Sequence, residues 1–115
     1  MGADCIKIEK IEGGDMFRAW RGGTYSAQFG AYNRNKRSVT IDIAQPEGQA
    51  LAKRLIAKCD ILVENFKVGG LAKYGLSYAD LKKDNPGLIF CSITGFGQTG
   101  PYAPRAGYDY LAQGM

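Results

Sequence analysis

The chain has 115 residues, about the length of one domain, and its 15 Lys and Arg against 11 Asp and Glu give a net charge of +4 with no basic arm typical of nucleic-acid binding. Hydrophobic residues make up 45% and charged residues 23%, a globular composition that excludes intrinsic disorder. The absence of histidine excludes catalytic triads, general bases and metal sites that depend on histidine. No apolar run is long enough to predict a membrane span, and the N-terminal residues do not predict a secretory signal.

Four short segments, rich in β-branched or aromatic residues and bounded by turn-forming residues, predict β-strands. They are Cys5–Glu9, Ser38–Ile43, Asp60–Glu64 and Leu88–Ile93. The last segment is apolar almost throughout, which is typical of a strand covered on both faces.

Helical patterns occupy the intervals between these strands. Pro46 stands at a first helical position, and apolar residues at i, i+4 spacing predict a helix up to about Lys58. Ser77 followed by Asp80 indicates a capping box for a short helix that ends before Asn85.

The end of the chain, Gly107–Met115, has the pattern of a further helix that begins there. Strands that alternate with helical crossovers predict an α/β fold with parallel strands and right-handed connections. The first strand starts almost at residue 1, and the last helix stops before it can bury a face. We therefore interpret the chain as part of a larger domain truncated at both ends, with an exposed sheet edge and an uncovered apolar face.

The three cysteines, Cys5, Cys59 and Cys91, are far apart and form no C-x-x-C pair. Each has apolar neighbours in the sequence. This pattern favours buried, reduced thiols in an intracellular protein over a zinc site or a redox pair.

The run Gly95–Gly100 fits the pattern G-x-G-x-x-G and follows a predicted strand. A dinucleotide fingerprint needs this loop to open a helix, but Pro101 and Pro104 predict turn or extended backbone instead. The acidic residue expected about 20 positions later would fall beyond the chain. We interpret the run as a glycine-rich loop at the carboxyl end of a strand, where ligands of α/β sheets bind.

Three further features leave alternatives open. Asn33–Ser38 places three cations in four positions, which is either a solvated basic turn or a site for a polyanion such as a nucleotide phosphate. Glu64–Phe66 closes the third predicted strand, as either a turn cap or a ligand contact. Asp109 is either a first-turn acid that favours the helix dipole or a site residue.

Seven segments carry a resemblance when they are taken together: Cys5–Glu9, Gly13–Asp15, Asn33–Ser38, Pro46–Gly48, Asp60–Phe66, Gly75–Tyr78 and Ser92–Tyr102. They resemble the family III CoA-transferases, the carnitine dehydratase / bile-acid-inducible F group. The resemblance covers essentially all 115 residues, with order and spacing kept.

The resemblance implies that residues 1–115 are part of the large, CoA-binding domain of a Rossmann-like enzyme with a second, smaller domain. It implies an interlocked homodimer that moves CoA from an acyl-CoA to a free carboxylic acid through an aspartyl covalent intermediate. Acyl-CoA and the acid are substrates, and no resident cofactor, metal, nucleic acid or membrane partner is expected. The expected location is cytoplasmic, or mitochondrial or peroxisomal in a eukaryote.

The resemblance also implies which residues serve the site. The positions that match the family's CoA pocket are Lys10, Ile41, Asn65, Phe66, Lys73 and Tyr74. Tyr108 and Asp109 match a pair that flanks the catalytic aspartate, and that aspartate, together with the small domain, is expected to lie outside the 115 residues. The chain alone is therefore expected to lack catalysis.

Two other functions remain as alternatives. The related acyl-CoA racemases use a histidine where this chain has Tyr108, because removal of an α-proton needs a base, so Tyr108 favours the transferase. A CoA-binding remnant without catalysis is the second alternative.

Overall fold

The structure, a computed structural model, describes residues 2–20 and 26–114 of the chain. The chain divides into two compact units, Met1–Gly48 and Gln49–Met115. Each unit is built on one pair of parallel strands. The prediction of an α/β fold with parallel strands is thereby confirmed.

The first unit contains two strands and the elements that connect them. Their bounds are β1 Cys5–Glu9, a 3-10 turn Met16–Ala19, α1 Ala27–Asn33 and β2 Lys36–Thr40. The strands pair in parallel, from Cys5 opposite Lys36 to Glu9 opposite Thr40. Parallel pairing requires a crossover of this length, which α1 supplies.

The sequence reasoning missed α1, which begins after a buried N-cap. The Ser26 backbone is extended, and its hydroxyl oxygen accepts a hydrogen bond from the Phe29 N–H at 3.2 Å. This bond satisfies one of the N–H groups that a helix start leaves unpaired. At the other end Asn35 adopts a positive φ of 65°, which turns the chain directly into β2.

The second unit contains the other strand pair and most of the helices. The elements are α2 Pro46–Ile56, whose first residues belong to the first unit, β3 Ile61–Glu64, a 3-10 turn Ala72–Tyr74, α3 Tyr78–Leu81, β4 Ile89–Ser92 and α4 Asp109–Gln113. β3 and β4 pair in parallel from Ile61 opposite Ile89 to Glu64 opposite Ser92. The buried apolar residues of this unit are Ala52, Ile56, Leu71, Leu76, Leu81, Leu88 and Ala103.

The helix starts predicted at Pro46 and Ser77 are confirmed. Pro46 begins α2, and the Ser77 hydroxyl caps α3 by accepting from the Asp80 N–H at 3.3 Å while donating to the Asp80 carboxylate at 2.5 Å. The Asn85 side-chain amide donates to the Cys59 carbonyl oxygen at 2.8 Å, after the end of α2. This bond ties the segment after α3 to the end of α2.

Some sequence expectations were wrong in detail. β2 was predicted at Ser38–Ile43 but runs from Lys36 to Thr40. It starts two residues before the predicted start because the left-handed turn at Asn35 directs the chain into the strand pairing at Lys36. β4 was expected to be covered on both faces, yet Ile89 and Cys91 are exposed while Phe90 is half-buried. The three cysteines were expected to be buried, but Cys5 and Cys59 are half-buried and Cys91 is exposed. Side chains alternate along a strand, and only one face of β4 is packed.

Candidate functional site

One candidate contact region, within the first unit, lies where β1 and β2 end. The Ile41 N–H donates to the Glu9 carbonyl oxygen at 3.0 Å, which extends the parallel ladder one step beyond Thr40. Lys10 and Ile41 are therefore neighbours at the carboxyl ends of the two strands. Ile41 is 5% exposed, whereas Lys10 is exposed. The structure thus brings two predicted residues together, with Ile41 as a buried support and Lys10 as an exposed cation.

Glu9, the last residue of β1, is buried at 6% exposure and fully paired. Its two carboxylate oxygens accept from Arg18 Nε and a terminal guanidinium nitrogen, each at 2.7 Å. They also accept from the Ser38 hydroxyl on β2 and from the Asp15 N–H, each at 2.8 Å. One side chain therefore joins β1, β2 and the turn around Met16–Ala19.

The pKa of Glu9 is lowered from 4.5 to about 2, mainly by the hydrogen bond from the Arg18 guanidinium. The hydrogen bonds from Ser38 and Asp15 lower this pKa further, whereas burial of the carboxylate raises it. Arg18 also lies over the Phe29 ring, with its guanidinium carbon 4.3 Å from the ring centroid. Glu9 is therefore an ionised, structural carboxylate rather than a candidate acid or base at neutral pH.

A separate candidate region, within the second unit, lies where β3 and β4 end. Glu64, the last residue of β3, accepts a short hydrogen bond from the Ser92 hydroxyl, opposite it on β4. Its other carboxylate oxygen accepts from the Phe66 N–H at 2.7 Å. Asn65 and Phe66, both exposed, form the turn that this bond defines. The two predicted residues are thus presented at the carboxyl end of the strand pair.

A groove of about 810 Å³ lies beside this turn, entirely within the second unit. Its walls come from β4, from the start of α3, from the segment after β3 and from Gln98 of the glycine-rich loop. Glu64 and Lys67, which flank Asn65 and Phe66, are its charged lining residues. Tyr78 and Phe90 contact each other in its wall, with ring centroids 5.8 Å apart. The groove can therefore accept a ligand with both apolar and polar parts.

Lys73 and Tyr74 lie in the 3-10 turn Ala72–Tyr74, which follows the groove-lining residue Leu71. The Lys73 ammonium nitrogen is 4.7 Å from the centroid of the Tyr74 ring. Gly75 ends the turn with a φ of 64°, a left-handed conformation that glycine adopts at no cost. The pair therefore presents a cation and an aromatic ring next to the groove, although neither residue lines it.

Tyr108 and Asp109 reach the same end of β4 through a contact between two glycines. A Cβ added at Gly95 or at Gly107 would overlap the backbone of the other residue. Only glycine allows the chain to cross so closely, three residues after β4 ends at Ser92. Tyr108 is 72% exposed, and Asp109 starts α4 and accepts from the Gln113 side-chain amide at 2.9 Å.

The glycine-rich loop itself is a turn and not the start of a helix. Gly97 and Gly100 have φ values of 80° and 90°, and turn residues follow to Arg105, before α4 begins at Asp109. The interpretation of Gly95–Gly100 as a strand-end loop is confirmed, since a dinucleotide fingerprint requires a helix directly after it.

The basic segment Asn33–Ser38 is exposed and partly neutralised. Arg37 forms an ion pair with Asp4 at 2.6 Å, and the Lys36 ammonium donates to the Asn33 side chain at 3.0 Å.

Within residues 2–20 and 26–114 no group of three or more His, Cys, Asp or Glu could hold a metal ion. In the same part of the chain no helix is long and apolar enough to cross a membrane.

The two glutamate clusters were not predicted as part of a site. Glu9 was included only as a strand end, and Glu64 only within the segment Glu64–Phe66, which was interpreted as either a turn cap or a ligand contact. The signal that could have predicted these clusters was the position of each glutamate at the end of an apolar strand, next to a strand that carries a serine. A carboxylate in such a place can be buried only if it is paired.

Comparison with known proteins gives a consistent result. The sequence profile of CoA-transferase family III matches residues 1–115. Succinate–glutarate CoA-transferase of Agrobacterium fabrum is 56% identical, over 100% of this chain and 31% of that protein. Succinyl-CoA:glutarate CoA-transferase of Mus musculus is 46% identical, over 100% of this chain and 27% of that protein.

Solved structures agree with the sequence matches. The crystal structure of a CaiB/BaiF family protein from Brucella suis has a TM-score of 0.92 and 55% identity, covering 99% of this chain and 32% of that chain. A crystal structure from Mycobacterium tuberculosis has a TM-score of 0.87 and 33% identity, covering 98% of this chain and 32% of that chain. The chain thus spans about a third of the length of these relatives.

Proposed function

This chain belongs to CoA-transferase family III, and we propose that the protein that contains it moves CoA from an acyl-CoA donor to a free carboxylic acid. The observation that carries this proposal is the similarity along the whole chain to proteins named as CoA-transferases. Residues 1–115 would belong to the large, CoA-binding domain. The exposed strand-end turn at Asn65 and Phe66, beside an amphipathic groove, supports that role.

The proposed substrates are short dicarboxylic acids and their CoA thioesters. Relatives are named for transfers that involve succinyl-CoA or succinate with glutarate, D-citramalate or L-malate. All of these acids carry two carboxyl groups, so one carboxylate remains charged while the other reacts. We propose that succinyl-CoA is the donor and a dicarboxylate the acceptor.

Each unit, taken by itself, carries residues that we propose as CoA contacts. In the first, Lys10 would pair with anionic groups of CoA while Ile41 supports the strand end. In the second unit, Asn65 would donate or accept hydrogen bonds with CoA, and Phe66 would pack against apolar parts of the CoA molecule. The exposed Lys73 cation and the half-buried Tyr74 ring beside it would add charge and stacking.

The proposed chemistry uses an aspartate outside the 115 residues, with Tyr108 and Asp109 as supporting residues. The aspartate attacks the donor thioester, and breaking the carbon–sulfur bond forms a mixed anhydride and CoA thiolate. The thiolate then attacks the aspartyl carbonyl, which forms an enzyme thioester and releases the donor acid. The acceptor carboxylate attacks the enzyme thioester, which forms a second mixed anhydride and releases the thiolate. The thiolate then attacks the acceptor's carbonyl carbon in that anhydride, which gives the new acyl-CoA and regenerates the aspartate. An interlocked homodimer in the cytoplasm or an organelle is part of the same proposal.

The test uses the longest natural polypeptide that contains these residues, incubated with succinyl-CoA and glutarate. We expect glutaryl-CoA by mass spectrometry and a hydroxylamine-sensitive acyl-enzyme during turnover. Binding of CoA without transfer to any dicarboxylate would favour the CoA-binding remnant instead. Exchange of an α-proton of a branched acyl-CoA without transfer would favour the racemase.

A further inference from the structure

The carboxylate of Glu64 holds the turn that carries two of the proposed CoA contacts. One oxygen accepts from the Ser92 hydroxyl across the strand pair, and the other accepts from the Phe66 N–H at 2.7 Å. The first bond fixes the Glu64 side chain to β4, and the second fixes the backbone two residues later. The direction of the Asn65 and Phe66 side chains therefore depends on this carboxylate.

The same construction occurs independently at the end of β1. Glu9 also closes its strand, accepts from a serine hydroxyl on the neighbouring strand and accepts from a main-chain N–H of the loop that follows. Lys10 comes directly after Glu9, as Asn65 comes directly after Glu64. A strand-end glutamate that holds the following turn is thus a repeated device in this chain.

We propose that Glu64 is a positioning residue for CoA, which orients Asn65 and Phe66 through its bond to the Phe66 N–H and contacts no reacting atom. This inference rests on the proposed function, because it assigns a role within the same site. Without the acceptor, the Phe66 N–H bonds to water and the exposed turn samples several conformations, so CoA must order the turn when it binds. The effect therefore falls on affinity rather than on the chemical step.

The experiment compares Glu64→Ala, Glu64→Gln and Ser92→Ala in the longest natural polypeptide, with Glu12→Ala as the control. Glu12 is exposed in the first unit, so removal of its carboxylate tests for a general effect of lost charge. Glutamine keeps an acceptor for the Phe66 N–H and offers a donor to Ser92, so it preserves the turn without the charge. Steady-state kinetics and calorimetry with CoA itself give KM, kcat and the dissociation constant.

We expect Glu64→Ala to raise KM for the acyl-CoA and the Kd for CoA about tenfold, equivalent to about 1.4 kcal/mol, with kcat within about threefold. Glu64→Gln should restore values close to those of the unchanged protein. Ser92→Ala should weaken binding less, because the Phe66 bond remains, and it serves as the test if Glu64→Ala does not fold. Glu12→Ala should change neither constant.

Three results would overturn the inference while leaving the proposed function intact. An unchanged KM and Kd in Glu64→Ala would show that the turn needs no support. A Glu64→Gln variant as impaired as Glu64→Ala, with the same melting temperature as the unchanged protein, would show that the charge itself acts. A loss confined to kcat would place Glu64 in the chemical step. If the unchanged protein neither binds CoA nor transfers it, the proposed function fails and this inference with it.

Discussion

Glu9 offers a quantitative test of how the first unit is held together. A fall in the pKa of Glu9 from 4.5 to about 2 corresponds to about 3 kcal/mol of stabilisation at neutral pH. The Arg18 side chain is 44% exposed, so water screens the main partner and about 1.5 kcal/mol is the expected net contribution. Glu9→Gln removes the charge, and its amide group brings a donor toward the guanidinium donors.

The pH dependence follows from the direction of that shift. The pKa is lower in the folded state, so the stabilisation is fully present above pH 4.5 and is lost as the pH falls toward 2. At pH 3 less than half remains, about 0.6 kcal/mol. The difference between the unchanged chain and Glu9→Gln should therefore shrink by more than half between pH 7 and pH 3.

The assay is urea unfolding of the 115-residue chain followed by the fluorescence of Trp20, its single tryptophan. Trp20 stacks on Phe17, with ring centroids 5.1 Å apart, directly after the turn that carries Arg18, so its emission reports on this unit. Glu12→Gln, an exposed neighbour, is the control and should change stability by less than about 0.5 kcal/mol. A difference that is the same at pH 7 and pH 3 would refute the argument from the ion pair.

Two further substitutions test the second unit. Gly107→Ala would place a Cβ in the backbone of Gly95, and we expect a loss of at least about 2 kcal/mol in urea unfolding. Gly87→Ala, whose Cβ would meet only the Asn85 side chain at 3.8 Å, is the matched control, and equal stability of the two variants would contradict the close crossing. Ser77→Ala should lower the free energy of unfolding by about 1 kcal/mol through loss of the α3 cap. The loss should be visible as faster hydrogen exchange of the Asp80 amide, whereas Ser77→Thr should keep that exchange slow. Equal exchange in the two variants would exclude the cap.

The sequence predicted those elements whose signals are local. The strand Cys5–Glu9 has its predicted bounds, and the Pro46 and Ser77 signals mark the starts of α2 and α3. These features depend on residues within one turn or one strand. α1 was missed because its main signal is a single N-cap, Ser26, followed by a short segment without a long apolar period.

Features that depend on contacts distant in sequence were not predicted. The crossing of Gly95 and Gly107 joins residues twelve apart, and no local pattern marks it. Exposure of Cys91 was likewise not foreseen, because an apolar strand reads the same whether one or both of its faces are packed. Of the predicted site residues, the structure brings Lys10 beside Ile41 and Tyr108 beside the end of β4.

The strand-end glutamates explain how a ligand site can be built at the carboxyl edge of parallel strands. The ladder stops there, so the N–H groups of the following turn lose their backbone partners, and each unpaired group needs an acceptor. Glu9 and Glu64 supply that acceptor from the last ladder residue, and a serine on the next strand fixes the acceptor in turn. The residue after each glutamate is then free to face a ligand, which is why the proposed contacts Lys10 and Asn65 both follow one.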